Sequence, residues 1–265
     1  MTNTDLTGPA GGTAARATRL LALHTAPDLL TVVNVWDSIS TRVVADTPGT
    51  TALATASHSI AASRGYEDGE NIPVAEMLEE VRRIVVAAGD LPVTADLEAG
   101  YGDPAATVTR AISLGVVGCN LEDQMRPLAE ATERVAAVMA AAREAGVPDF
   151  VLNARTDAFV KGVDDALEEA VTRGRAYLEA GAPVVFVPGR LDEQQIATLV
   201  EAYGPQRLTL IGVPGLPPLA RLQELGVARV SYGPLSQNVA LTALAELVEA
   251  VHDGGGVPAS MRILN

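Results

Sequence analysis

The chain has 265 residues, with 19 basic and 33 acidic side chains and a formal net charge of −14 at pH 7. This length suits one large domain, the negative charge disfavours nucleic acid and anionic membranes as partners, and a single cysteine excludes a disulfide framework and a multi-cysteine zinc site. No apolar run reaches the ~18 residues of a membrane span, and the N-terminus lacks the layout of a secretory signal, so we expect a soluble, cytoplasmic protein.

Taken in chain order, residues 1–15 are predicted to be a flexible lead-in, and one domain follows over 16–265. Helical spacing at 16–26 is followed by short apolar runs that alternate with amphipathic segments. Eight strands are predicted, at Leu30–Val35, Thr51–Thr55, Val93–Leu97, Val117–Leu121, Phe150–Asn153, Val184–Val187, Leu208–Ile211 and Arg229–Tyr232. Eight helices are predicted between and after them, at Ser38–Asp46, Val74–Ala88, Pro104–Leu114, Ala131–Ala145, Asp164–Ala180, Asp192–Tyr203, Pro217–Leu225 and Leu235–His252.

The strands are apolar throughout, which is typical of a parallel sheet covered by helices on its faces. Four predicted helices end in a glycine just before a strand, at Gly115, Gly146, Gly181 and Gly226. Glycine readily adopts the left-handed backbone conformation that commonly ends a helix. Eight such units favour closure into a (β/α)₈ TIM barrel, an α/β fold, over an open sheet.

Acidic residues follow the predicted strands of the barrel, at the end where such enzymes place catalysis. Asp96 and Glu98 fall on one side if strand alternation continues, and the barrel brings Glu122 beside them. Three carboxylates in one pocket need a proton or a cation, and oxygen ligands select Mg²⁺ or Mn²⁺. The alternative is that these are surface carboxylates that cap helices or pair with arginines.

Two basic residues refine this hypothesis. Arg155, after the fifth strand, is suited to hold a substrate carboxylate through a bidentate pair. The only lysine, Lys161, lies in a loop beyond that strand. Schiff-base chemistry is therefore disfavoured, and a metal-dependent mechanism is favoured instead.

Seven segments together resemble the isocitrate lyase and phosphoenolpyruvate mutase superfamily, in particular its phosphonomutase-like and methylisocitrate lyase-like members. They are VVNVWDSIS, SHSIAASRGYEDGE, TADLEAGYGD, GCNLEDQ, VLNARTDAFVKG, VVFVPG and VSYGP, spread over residues 31–245. The resemblance implies a barrel whose last helix swaps between subunits in a dimer or tetramer. It also implies metal-stabilised enolate chemistry that cleaves or moves a C–C or P–C bond next to a 2-oxo acid.

The resemblance also implies roles for individual residues. Asp96 matches the principal metal ligand, and Glu98 and Glu122 match acidic residues around the metal and its waters. Asp68 matches another acid of that shell. Arg155 matches the arginine that grips the substrate, and Ser57 falls in the segment that receives the substrate's carboxylate and 2-oxo oxygen.

The segment Gln124–Arg134 departs from the family, whose lyases have a catalytic cysteine in a mobile loop here and whose mutases have lysine and asparagine. It has none of these and looks shorter by about ten residues, at ~1.5 Å per helical residue. Ala56 stands where many relatives have serine, and Pro188 where the mutases have histidine. The acidic residues that match the metal shell are all present. Because the acid group of the loop is missing, another group must supply the proton.

The candidates for that group are His58, Tyr101, Glu130 and Arg126, and histidine is the side chain best suited to proton transfer near neutral pH. The alternative for His58 is a loop histidine bonded to backbone. Trp36 is expected either in the pocket wall or in the core. His24 and His252 on terminal helices, and Cys119 inside a strand, are expected to be structural.

Three hypotheses follow. The first is a Mg²⁺-dependent lyase that cleaves a C–C bond of a small 2-hydroxy or 2-oxo (di)carboxylate through an enolate, with Arg155, Glu122, His58 and Tyr101 as catalytic candidates. The second is P–C chemistry of the phosphoenolpyruvate mutase or phosphonopyruvate hydrolase type. The third is a barrel that binds a carboxylate without turnover.

Overall fold

The computed structural model describes residues 12–264. Its strands are β1 Leu30–Val32, β2 Asn34–Val35, β3 Leu53–Thr55, β4 Val93–Asp96, β5 Gly118–Glu122, β6 Val151–Arg155, β7 Val184–Phe186, β8 Leu208–Ile211 and β9 Arg229–Ser231. Its helices are α1 Thr13–Thr25, α2 Ser38–Ala45, α3 Ser57–Ser63, α4 Val74–Ala88, α5 Pro104–Ser113, α6 Leu128–Glu144, α7 Ala158–Lys161, α8 Ala166–Glu179, α9 Glu193–Tyr203, α10 Leu219–Leu225 and α11 Leu235–His252.

All strand pairs are parallel, in the order β1-β9-β8-β7-β6-β5-β4-β3-β2. The predicted first strand is divided at Val33, so that β1 pairs with β9 while β2 pairs with β3. The two sections therefore join the two ends of the sheet, and the chain forms the predicted eight-unit barrel. Because the strands are parallel, their carboxyl ends meet at one mouth.

The glycine pattern is confirmed at the four helix ends. Gly115, Gly146, Gly181 and Gly226 have φ values of 97°, 78°, 102° and 88°, a backbone conformation that is costly for other residues. Each glycine ends a helix within a few residues of the next strand, so each unit returns directly to the barrel.

The first and last helices differ in how they contact the barrel. Leu20 of α1 lies against Gly118 at the start of β5, so α1 covers the end of the barrel away from the mouth. By contrast, Gln237 is the buried residue of α11. No helix of residues 12–264 has both the length and the apolar composition of a membrane-spanning segment.

The structure corrects several predicted boundaries. Helix α1 begins at Thr13, three residues ahead of the predicted 16–26 and inside the predicted lead-in, whose residues 1–11 lie outside the described chain. Helix α6 begins at Leu128 and not at Ala131, because Pro127 has an extended backbone (ψ 135°) that lets the helix start directly after it.

Two helices were not predicted, and both follow strands directly. Helix α3 (seven residues) and helix α7 (four residues) occupy segments that were interpreted as loops. They are too short to show a helical apolar period. Both carry residues of the mouth, so the missed elements are part of the site.

Candidate active site

A cavity of about 200 Å³ opens at the carboxyl ends of the strands. Its charged and titratable lining residues are His58, Asp68, Asp96, Glu122 and Arg155, and its neutral polar residues are Asn34, Ser57, Asn120 and Ser231. The rest of the lining is Val160, Phe186, Pro188, Ile211, Gly233 and Pro234. Six site residues singled out from the sequence therefore meet in one cavity: Ser57 and the five charged or titratable residues.

Asp96 ends β4 and is bound to the start of α3. The Ser57 backbone N–H and hydroxyl both donate to Asp96 Oδ2, at 3.2 and 2.8 Å. The other oxygen, Asp96 Oδ1, is buried and has no hydrogen-bond partner among the described residues. A carboxylate oxygen in that state is costly unless a cation, a water or a ligand contacts it.

Glu98 lies two residues beyond the end of β4, and the expected strand alternation does not reach it. Its φ is +52°, so the extended backbone has already ended, and Glu98 does not line the cavity. Its carboxylate accepts from the Tyr101 hydroxyl at 2.9 Å and from the backbone N–H of Glu70. Burial raises the pKa of Glu98, while these two hydrogen bonds oppose that rise.

Tyr101 is held at the same turn and also lies off the cavity. The Glu70 carboxylate accepts from its backbone N–H at 2.5 Å, and its hydroxyl is engaged with Glu98. Burial and the charge of Glu98 raise the pKa of the phenol. Tyr101 therefore acts as a hydrogen-bond donor that orients Glu98 in this structure.

Glu122 and Arg155 end the neighbouring strands β5 and β6, and their Cα atoms pair in register. Arg155 Nη1 lies 2.6 Å from Glu122 Oε1, and Arg155 Nε lies 2.7 Å from Asp157 Oδ1. Burial raises the pKa of Glu122 to about 8; Arg155 opposes that rise, and the charges of Asp96, Asp157 and Glu98 add to it. The site thus concentrates more negative charge than its one guanidinium offsets.

His58 and Asp68 form the solvent side of the cavity. His58 Nδ1 lies 3.5 Å from Asp68 Oδ2, and each side chain is about half exposed (51% and 52%). His58 is the second residue of the unpredicted helix α3. Its imidazole therefore faces both the cavity and bulk water.

Asp96, Glu98 and Glu122 do not form a compact ligand group. Within residues 12–264, no three His, Cys, Asp or Glu side chains are grouped closely enough to hold a metal ion. A cation beside Asp96 would therefore take most of its ligands from water and substrate, as Mg²⁺ commonly does.

Four other sequence candidates lie elsewhere. Trp36 is partly buried against the core and does not line the cavity. Cys119 is fully buried, which raises the pKa of its thiol, so it has the properties of an apolar strand residue. Arg126 Nη1 pairs with Glu130 Oε1 at 2.8 Å on an exposed surface, so both lie away from the cavity.

The connection from β5 to α6 is only residues 123–127. Gln124 and Met125 both have positive φ (50° and 54°), and the Asp123 carboxylate accepts from the Met125 N–H at 2.9 Å. This is a tight turn, and it contains none of the cysteine, lysine or asparagine residues that the resemblance led us to look for.

Sequence reasoning missed the asparagines of the cavity. Asn34 Nδ2 donates to the Thr55 carbonyl, and its Oδ1 accepts from the N–H groups of Tyr232 and Gly233, each at 2.8 Å. Asn120 Oδ1 accepts from Asn153 at 2.8 Å. A polar side chain within an apolar strand run was the available signal for both.

A model of the phosphoenolpyruvate phosphomutase family matches residues 20–252. The 2,3-dimethylmalate lyase of Eubacterium barkeri is 30% identical over 257 residues, which cover 90% of this chain and 86% of that protein. A crystal structure from Burkholderia cenocepacia J2315, described provisionally as a phosphonomutase, superposes with a TM-score of 0.83 at 42% identity, covering 92% of this chain and all of the other. A structure of oxaloacetate acetylhydrolase superposes with a TM-score of 0.84 at 27% identity, covering 95% and 91% of the two chains.

Proposed function

Because the chain belongs to the phosphoenolpyruvate phosphomutase family, within the superfamily of such mutases and isocitrate lyases, we propose that it is a Mg²⁺-dependent carbon–carbon lyase. Its substrate is a small 2-hydroxy or 2-oxo (di)carboxylate, cleaved through an enolate. The family match covers lyases and mutases alike, and the observation that carries the proposal is the Asp96 carboxylate with one oxygen buried in the cavity wall and unpartnered.

The donor set fits a hard divalent cation. Asp96 Oδ1 is free of protein partners among the described residues, and Glu122 and Asp68 line the same cavity. Burial is the main cause that raises the pKa of Glu122 to about 8, and the charges of Asp96, Asp157 and Glu98 add to the rise against the opposing effect of Arg155. Asp96 would be the direct protein ligand of Mg²⁺ or Mn²⁺, with Glu122 and Asp68, which line the same cavity, around its waters. When bound, the cation would supply positive charge that offsets charge developing on the 2-oxo oxygen.

Arg155 is the group that binds and orients the acid. Its Nε and one N–H of Nη1 are engaged by Asp157 and Glu122, which leaves the second N–H of Nη1 and the two of Nη2 to donate to a substrate carboxylate. The two protein carboxylates fix the plane of the guanidinium, so a ligand meets a donor of defined direction.

Ser57 and His58 are placed to serve the other end of the substrate. Ser57 fixes Asp96 through two hydrogen bonds and itself lines the cavity. His58 faces the cavity and solvent together, so it is our candidate for carrying a proton to the cleaved product. Asp68, at 3.5 Å from the imidazole, orients it.

Two other functions remain candidates, each favoured by one observation. Phosphomutase or phosphonopyruvate hydrolase chemistry is favoured by the family model itself. Carboxylate binding without turnover is favoured by the five-residue β5–α6 turn, which brings no acid group over the mouth.

The proposal includes a homo-oligomer, a dimer or tetramer, with a small carboxylate as partner, and it keeps the cytoplasm as the expected location. The single cysteine is free and buried.

The experiment is a substrate panel with Mg²⁺, containing oxaloacetate, 2-methylisocitrate, 2,3-dimethylmalate and phosphonopyruvate. Product release is followed by NMR. Release of a 2-oxo acid or oxalate from one of the three phosphorus-free substrates supports the lyase. Conversion of phosphonopyruvate to phosphoenolpyruvate, or to pyruvate and phosphate, supports P–C chemistry. Ligand binding without any product supports the binding protein.

The Asp96→Asn variant tests the metal assignment. We expect loss of Mg²⁺ binding by calorimetry and a fall of at least about 100-fold in turnover, because the amide has no charge to hold the cation. Asp90→Asn, an exposed carboxylate before β4, is the matched control. Wild-type Mg²⁺ affinity in Asp96→Asn would exclude this carboxylate as the ligand.

A further inference from the structure

A chain of three buried polar side chains crosses the barrel interior and ends at the cavity. Asn120 lies on β5, Asn153 on β6 and Thr209 on β8, and their exposed fractions are 7%, 0% and 0%. Thr209 Oγ1 lies 2.6 Å from Asn153 Oδ1, and Asn153 Nδ2 lies 2.8 Å from Asn120 Oδ1. Of the three residues, only Asn120 lines the cavity, so the chain leads from the core to the site.

The distances fix the direction of these hydrogen bonds. A separation of 2.6 Å is typical of an O–H donor and short for an N–H donor, so the Thr209 hydroxyl donates to Asn153 and not to the Val185 carbonyl at 3.3 Å. Asn153 must then present its oxygen to Thr209 and its Nδ2 group to Asn120. Asn120 consequently accepts with Oδ1 and keeps Nδ2 for another partner.

The Nδ2 group of Asn120 remains open to the cavity. It makes no hydrogen bond within the described part of the chain, and it is not among the fully buried side-chain atoms that lack a partner. Because Asn120 lines the cavity, its free N–H groups face the space that a ligand would fill. A neutral donor in a buried wall recognises an oxygen acceptor, since a buried donor left without a partner is costly.

The position of Asn120 in the barrel indicates which oxygen it meets. Strand β5 lies between β4 and β6, and Asn120 pairs in register with Asp96 on one side and with Asn153 on the other. Arg155 ends β6, two residues beyond Asn153. A 2-oxo acid with its carboxylate on Arg155 and its oxo oxygen towards Asp96 therefore passes over Asn120.

The other neutral donors of the cavity are less well placed for that oxygen. The Ser57 hydroxyl donates to Asp96, and Asn34 Nδ2 donates to the Thr55 carbonyl. Ser231 lies on β9, which is opposite β5 in the ring of eight when β1 and β2 are counted as one position. The wall between β4 and β6 therefore presents the Asn120 amide to the ligand.

We propose that Asn120 is a catalytic residue that donates a hydrogen bond from Nδ2 to the 2-oxo oxygen of the bound acid. Asn153 and Thr209 are positioning residues that hold the amide in this orientation. The inference rests on the proposed function for the 2-oxo acid and for its placement between Asp96 and Arg155. The same N–H contacts this oxygen when it becomes the enolate oxygen, and a fixed donor in a buried site stabilises the charge that develops there.

The test compares pyruvate with methacrylate, two monoanions of the same shape in which a methylene group replaces the 2-oxo oxygen. In NMR titrations of the full chain with Mg²⁺, the wild type should bind pyruvate more tightly. Asn120→Ala should reduce the ratio of the methacrylate and pyruvate dissociation constants at least about fivefold. A wild-type ratio in Asn120→Ala, or no binding of pyruvate by the wild type, would overturn the inference.

Two controls accompany this variant. Gln194→Ala removes an exposed amide on α9, away from the cavity, and should keep the wild-type ratio. Calorimetry should give the wild-type Mg²⁺ affinity for Asn120→Ala, because the amide contacts the ligand and not the cation. Loss of Mg²⁺ binding in Asn120→Ala would overturn the inference, since the amide would then serve the metal site.

A pair of substitutions at Thr209 tests the positioning role and leaves Asn120 intact. Thr209→Val removes the hydroxyl that fixes both amides, so both orientations of Asn120 become populated and the ratio should fall at least about twofold. Thr209→Ser keeps the hydroxyl and should keep the wild-type ratio. A wild-type ratio in Thr209→Val would overturn the positioning role, and this variant decides the question if Asn120→Ala does not fold.

Turnover separates this inference from the proposed function. If the wild type cleaves a member of the substrate panel, Asn120→Ala should lower kcat at least about 100-fold. A protein that releases no product, but loses its preference for pyruvate in Asn120→Ala, would retain the inference and lose the proposed reaction. A lyase whose Asn120→Ala variant keeps both the ratio and kcat would retain the reaction and lose the inference.

Discussion

His24 is a buried neutral imidazole in α1, at the end of the barrel away from the mouth. Its Nδ1 is 2.8 Å from the Leu20 carbonyl oxygen, and its Nε2 is buried without a partner among the described residues. Burial first, and the positive charge of buried Arg229 second, lower the pKa of His24 from 6.5 to about 3. His24 is therefore harder to protonate in the folded protein than in the unfolded chain.

We predict that His24 makes the protein sensitive to acid. Between pH 6.5 and about 3, the unfolded chain binds one more proton at His24 than the folded chain does. The His24 contribution to the free energy of unfolding therefore decreases as the pH decreases, by up to about 1.4 kcal/mol per pH unit. Above pH 6.5 the contribution is constant. In urea titrations from pH 7.5 to 4, the difference in free energy of unfolding between the wild type and His24→Gln should be constant above pH 6.5 and should change by up to about 1.4 kcal/mol per unit below it.

The control for that experiment is His252→Gln, because His252 is exposed at the end of α11. It should keep the wild-type slope. Equal slopes in the wild type and in His24→Gln would show that the imidazole is not the group being titrated.

At the scale of elements, the contact between α8 and α9 depends on one glycine. A methyl group added at Gly174 would collide with the ring of Tyr203. That ring cannot move easily, because its hydroxyl donates to the Ala170 carbonyl at 2.6 Å. The two helices are therefore as close as their side chains allow.

We predict that Gly174→Ala destabilises the fold although alanine is the better helix former. The propensity gain is about 1 kcal/mol, whereas overpacking a rigid contact costs about 1–3 kcal/mol, so we expect a net loss and a melting temperature lower by several degrees. In a Tyr203→Ala background the same change should be neutral or stabilising. A wild-type melting temperature in the single variant would contradict this account.

The sequence pattern predicted most elements because the strands are buried on both faces. Helices Val74–Ala88 and Leu235–His252 and strand Leu208–Ile211 have the predicted bounds. Glu98 was wrongly predicted to lie on the same side as Asp96, because a positive φ at a non-glycine residue cannot be recognised from a periodic sequence pattern. Phe186 and Ile211 were missed because an apolar residue at a strand end reads like any core residue, and only closure of the barrel turns it toward the cavity.

At the scale of the whole molecule, α11 presents an apolar surface to solvent. Its exposed apolar side chains include Val239, Leu241, Leu244, Val248 and Val251, each at least 45% exposed. A groove of about 980 Å³ beside this helix is lined by further apolar residues such as Val33 and Val213. Apolar patches of this kind are typical of surfaces buried in an assembly.

We predict that the protein is a homo-oligomer held through α11. Light scattering after gel filtration should give at least twice the mass of 27.4 kDa for the wild type and the monomer mass for Leu241→Lys with Leu244→Lys. Glu249→Lys introduces a lysine on the same exposed helix and should keep the wild-type mass. A monomeric wild type would show that α11 has no partner in solution.

The short turn of residues 123–127 after β5 also affects the stereochemistry with which the product carbon is protonated. Five extended residues span at most about 18 Å, and a loop that must go out and return reaches about half that distance. His58 is therefore the positioned proton donor beside a carbanion formed at this mouth, and without it bulk solvent would reach both faces. At a prochiral product carbon, deuterium from D₂O should then appear mainly in one configuration with the wild type and in both with His58→Ala.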